Sequence, residues 1–210
     1  MTDHDPDSQN VSANLAFVKA LVSEGGRSQM SGGAAFLTGG LCYGAQCLLN
    51  WMDIKGWLPF RGTPLSLFIG IAPTIIFSII LTVILWGERK NGQQGVATRA
   101  LNAAFGSAGL ANLFIMVVFA YNAYVEKSLM IWLFYPCMVC ALQGAVWYVA
   151  YMIRKKAWLA FVSGGWFLTT LALGLTIRDT ATYVLILGIA LLVLMGGSGW
   201  YMMQQAKKAG

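Results

Sequence analysis

The sequence predicts an all-α integral membrane protein: six transmembrane helices in one bundle, preceded by a short N-terminal amphipathic helix on the cytoplasmic side. Three observations predict it. Of 210 residues, 58% are hydrophobic and only 10% charged, where soluble domains average about a quarter charged. The few charges leave six long gaps, and a helix needs about 20 predominantly apolar residues to cross the hydrocarbon core. Lysine, arginine and tryptophan then gather at the ends of those gaps, as the two membrane surfaces require.

Residues 1–33 are the one sizeable polar segment. Val11, Leu15, Val18 and Val22 recur at helical spacing on one face, and Gly25-Gly26 follows as a stop signal, so an amphipathic helix is expected near 10–24. Its acids (Asp3, Asp5, Asp7, Glu24) outnumber Lys19 and Arg27, which disfavours attraction to anionic lipid and leaves packing under the chain's own loops or docking of a partner protein. The acidic, polar start carries no basic n-region and apolar core, so no cleaved signal peptide is expected.

The six spans are placed at 34–52, 65–86, 101–123, 129–152, 157–177 and 181–203, with a tail at 204–210. The first is rich in glycine and carries a GxxxG pair, Gly40 and Gly44. The second repeats Gly70, Thr74, Ser78 and Thr82 every fourth residue, and the third does so with Ala104, Ala108 and Asn112. The sixth contains Gly196-Gly197-Ser198-Gly199. Lipid tails supply no hydrophobic drive between helices, so small residues that permit close approach, with hydroxyls and amides bonding across, hold such bundles together. Connections on the outer side are short, and DIKGWLPFRGTP, with two glycines and two prolines, reads as a fixed turn.

With an even number of spans both termini share a side. That side holds ten lysines and arginines, against Lys55, Arg61, Lys127 and Arg178 on the other. Cytoplasmic loops retain the excess, so both termini are expected in the cytoplasm, with the bundle in the plasma (inner) membrane. The net charge of +6 is spread over loop ends and tail, with no run longer than Arg154-Lys155-Lys156; nucleic acid is not an expected partner.

Chemistry is mostly excluded. All eight acids fall outside the spans, the single histidine is His4, and no lysine lies mid-span. Proton relays, histidine-based haem or metal centres and buried Schiff bases therefore lack their residues, and no hydrolase elbow, zincin motif or phosphate loop is present. No enzyme activity, cofactor or metal is expected. Cys137 and Cys140 in "YPCMVC" sit about two turns into the fourth span, where apolar burial makes a thiol inert. Packing leads there; a redox pair, or a metal shared with Cys42 and Cys47, stays open.

Two functional expectations result. The first is a non-enzymatic membrane subunit or regulator acting through its cytoplasmic face, with Val11, Leu15, Val18 and Val22 as the docking surface for a protein partner and self-association left open. The second is a small permease or binder for a neutral or lipophilic solute. Its cavity would be lined by the intramembrane amides Gln46, Asn50, Asn112 and Gln143, which donate and accept without charge.

Overall fold

The computed structural model describes the backbone of residues 6–58, 64–89 and 96–209, and the side chains of 30–58, 68–84, 86–87 and 96–208. Everything regular in it is helical. The helices are α1 (Pro6–Ile54), α2 (Pro64–Arg89), α3 (Val96–Val125), α4 (Leu129–Arg154), α5 (Ala157–Thr176), α6 (Thr180–Ala190) and α7 (Gly197–Ala209), with a π-helical turn, Leu191–Gly196, joining α6 to α7 in one rod. Four helices are long and apolar enough to cross a membrane: α3, α4, α5 and the rod over Thr180–Lys208; α2 contributes the shorter apolar stretch Phe68–Ile84. The chain is a helical membrane protein.

The predicted stop at Gly25-Gly26 does not end a helix, because α1 runs unbroken for 49 residues. Each interior glycine costs about 1 kcal/mol of helix propensity, and propagation from both sides absorbs that cost once a long helix is nucleated. The expected apolar face Val11, Leu15, Val18 and Val22 lies outside the described side chains.

Packing is uneven. The core is built by α4, α5 and the last rod, with Cys140, Trp147, Trp166, Leu173 and Tyr183 almost wholly enclosed. Helix α1 lies antiparallel against the rod, since Gly33 meets Gly199, Gly40 meets Gly196 and Leu191, and Gly44 meets Leu192 and Gly188. A Cβ built on Gly40 would stand 2.6 Å from the Gly196 Cα, and one on Gly33 would stand 2.8 Å from the Gly199 carbonyl. Only glycine permits this backbone-on-backbone approach. By contrast α2 rests chiefly on α1, and α3 on α4. Both leave wide apolar faces exposed, including Phe68, Ile71, Ile79 and Val83 on α2 and Leu110, Phe114, Val117 and Tyr121 on α3.

The turns are ordered by backbone caps. After α1, Gly56 takes φ +77° while Trp57 N–H bonds the Met52 carbonyl and Gly56 N–H that of Asp53, both at 3.0 Å. These are the two hydrogen bonds of a Schellman motif. Lys127 adopts the same left-handed conformation between α3 and α4, and Lys155 does so between α4 and α5. At the head of α6 the Asp179 carboxylate accepts from the Thr182 hydroxyl at 2.6 Å and its N–H at 3.3 Å. Those bonds to the charged form hold the carboxyl below its ordinary value.

Candidate functional site

Four helices bring neutral polar groups together in the half of the bundle nearer the α3–α4 turn. Tyr43 of α1 has the Thr74 hydroxyl of α2 beside its phenol, and Tyr135 of α4 has the Asn112 amide of α3 beside its own, with the two tyrosines near each other. One turn along α1, Gln46 Nε2 donates to the Gly70 carbonyl at 2.9 Å. Phe77 stacks edge-on to Tyr43 with ring centroids 5.3 Å apart. Sequence reasoning flagged Gln46 and Asn112 but not the tyrosines. Their spacing, eight residues after Tyr135 for Gln143 and three before Gln46 for Tyr43, was the available signal.

The four predicted amides differ in their surroundings. Gln46 is committed to fastening α2 onto α1. Asn50 lies one turn further, half-buried. Asn112 and Gln143 each hold a buried side-chain oxygen with no hydrogen-bond partner, the kind of orphan acceptor that native structures rarely leave unmatched. Gln143 stands one turn before Trp147, whose indole N–H is likewise buried and unpartnered. Around Trp147 are Phe36, Phe105 and Trp158, with centroids 5.1, 5.4 and 5.9 Å away. An open depression of about 350 Å³ lies elsewhere, on the outer face of α2 among Phe68, Ile71, Ala72, Ile75 and Ile76.

Hydroxyls contribute less across helices than expected. Thr38, Ser78, Thr82, Thr169, Thr170 and Thr176 each bond the carbonyl four residues back in their own helix. Ser163 is an exception, donating across to the Gly144 carbonyl at 2.8 Å. Glycine contact therefore does more of the joining than hydrogen bonding.

The four cysteines are buried or half-buried. All four are free thiols, and Cys137 and Cys140 lie in the core. Pro136 has no N–H for the Trp132 carbonyl, which loosens the ladder there. Next to this gap the Tyr183 hydroxyl donates to the Leu133 carbonyl, with the Cys137 sulfur 3.6 Å from both oxygens. Among the described residues no three of histidine, cysteine, aspartate and glutamate gather where a metal could sit. Comparison with protein families, curated proteins and solved structures finds no match to this chain.

Proposed function

We propose that this chain is a six-span, non-enzymatic subunit or regulator of the plasma membrane, with both termini cytoplasmic, that binds a protein partner through the N-terminal part of α1. The length of α1 carries this proposal. At 1.5 Å per residue its 49 residues extend about 74 Å, against a hydrocarbon core of about 30 Å. Among the described residues its packing on the last rod runs from Gly32 and Gly33 to Gly44, and Val11, Leu15, Val18 and Val22 precede that stretch in sequence. An amphipathic segment continuous in one helix with a membrane span suits helix-in-groove recognition, with those four side chains as anchors.

The test is affinity purification from native membranes in mild detergent, using the full chain and the Leu15→Asp/Val18→Asp variant. A partner recovered with the first and lost with the second, while the purified bundle melts unchanged, is the expected outcome. Equal recovery by both would overturn the proposal.

The orphan acceptors of Asn112 and Gln143 favour a second function, binding of a neutral solute that carries a hydrogen-bond donor. Under it, Asn112→Leu and Gln143→Leu abolish thermal stabilisation by such solutes without reducing the yield of folded protein. A fall in yield alone would mark the two amides as structural.

A further inference from the structure

We propose that the turn between α4 and α5, together with the tail of α7, forms a binding site for the phosphate-bearing headgroups of anionic phospholipids in the adjoining leaflet. The structure joins two basic segments that are about fifty residues apart in sequence. Lys156 Nζ donates to the Gln205 side-chain oxygen at 3.1 Å, which sets Lys207 and Lys208, within one turn of Gln205, beside Arg154, Lys155 and Lys156. Arg99 comes to the same end, because α3 runs antiparallel to α4 with Phe105 on Trp147.

Among the residues whose side chains are described, no acid lies at this end. Asp53, Glu126 and Asp179 belong to the end of α1 and to the α3–α4 and α5–α6 turns, at the opposite end of the bundle. Lys155, Lys156, Lys207 and Lys208 are exposed. Lys155 is held over the Tyr151 ring, 5.9 Å from its centroid, with its ammonium 3.7 Å from the Met152 sulfur, so its nearest companions leave its charge uncancelled.

Depth is set by aromatic rings. Trp158 packs edge-on against Tyr201 at 5.1 Å, locking the first turn of α5 to α7, and Trp200 next to it is exposed. Trp and Tyr favour the headgroup level of a bilayer. The lysines just beyond them therefore meet lipid phosphates, where clustered basic residues gain about 1 kcal/mol each from an anionic leaflet. Arg154, Lys155, Lys156, Lys207 and Lys208 on a folded surface, tied by the Lys156–Gln205 bond, give such headgroups a fixed site. The scattered basic residues of the sequence predicted only an orientation.

The test uses the full-length protein in mild detergent, offered equal amounts of phosphatidylglycerol and phosphatidylcholine, with bound lipids counted by native mass spectrometry. The wild type is expected to retain phosphatidylglycerol preferentially. The Lys155→Gln/Lys156→Gln/Lys207→Gln/Lys208→Gln variant should lose at least about tenfold of that preference, and Lys55→Gln/Lys127→Gln/Arg178→Gln, at the other end, should keep it. Equal preference in all three proteins overturns the site, as does equal loss in both variants. Displacement of phosphatidylglycerol by matching concentrations of inorganic phosphate would assign the site to a free anion and overturn the lipid assignment. If the quadruple variant fails to fold by circular dichroism, the wild type is read at about 1 M salt, where screening shortens the reach of charge to about 3 Å. Preference lost there supports the site, and preference retained overturns it.

Discussion

Two helix contacts on α1 differ in kind. Against the last rod, α1 presents Gly33, Gly40 and Gly44, and the rod answers with Gly188, Gly196 and Gly199, so that backbone touches backbone. Against α2 the contact rests on bulkier and more polar pieces: Tyr43 on Phe77, the Tyr43–Thr74 pair, and the Gln46–Gly70 hydrogen bond. Gly70 has nothing within 4 Å of the position a Cβ would take, and the same holds for Gly106 and Gly109 of α3. A small residue in a membrane helix thus brings backbone onto backbone only where the facing helix is small at the same height, whereas Gly144 and Gly165 receive the larger Phe167 and Leu194 side chains.

The largest expected effect tests that difference directly. Gly40→Leu drives a side chain into the Gly196 backbone and the Leu191 carbonyl, neither of which can rotate aside. Overpacking of this kind costs about 1–3 kcal/mol, occasionally more, and thermal unfolding of the purified variant should show it as a much lower midpoint or no folded protein. Gly106→Ala and Gly109→Ala enter open space on a helix and should be neutral or stabilising by up to about 1 kcal/mol. If Gly40→Leu melts like the wild type, the close crossing of α1 and the rod is wrong.

A smaller effect separates the hydrogen bonds of the two regions. Ser163 is 3% exposed and bonds Gly144 across the α4–α5 contact, where a Cβ on Gly144 would also crowd the Phe167 ring at 2.9 Å. Ser163→Ala should cost about 0.6 kcal/mol, and at most about 1.7. Gln46→Leu removes a bond of similar length from the exposed α1–α2 contact and should cost less, because α2 has few other contacts to lose with it. The same unfolding measurement ranks them, and a larger loss for Gln46→Leu would reverse the contrast.

Much of this contrast was legible in the chain, though not all of it. Four of the six charge-free windows fall on helices long and apolar enough to cross a membrane, and a fifth on the shorter apolar stretch of α2, because hydrocarbon excludes charge whatever the tertiary arrangement. The GxxxG pair Gly40 and Gly44 and the run from Gly196 to Gly199 were visible as interface material; Gly40 proved to face Gly196, while Gly44 faces Leu192 and Gly188 and Gly199 faces Gly33. The partner of each stripe was not legible, since a period of four residues says nothing about which helix lies opposite. Gly70, Thr74, Ser78 and Thr82 look as adhesive in sequence as the first span, yet Ser78 and Thr82 bond their own carbonyls on an exposed face. The roles of the four amides were hidden for the same reason: they lie on three helices, and only the fold shows Gln46 bonded to Gly70 and the Asn112 amide beside Tyr135, with the side-chain oxygens of Asn112 and Gln143 left over. No residue pattern marks the π-helical turn Leu191–Gly196, which sits where Gly40 crosses the rod.

The smallest effect lies at the α5–α6 turn of the tightly packed half. Asp179 caps α6 with its charged carboxylate, and the Thr182 bonds lower its value in the folded protein. A group depressed by folding adds stability that is present above its unfolded value of 3.8 and disappears as pH falls through the lower folded value. Asparagine also caps helices well but does not titrate. From about pH 5 downward, the melting midpoint of the wild type should therefore fall slightly more steeply than that of Asp179→Asn, the two converging once the carboxylate is protonated. Parallel curves over that range would mean that Thr182 bonds the carboxylate too weakly in solution to fix the start of the rod, leaving the glycine contacts with α1 to position it alone.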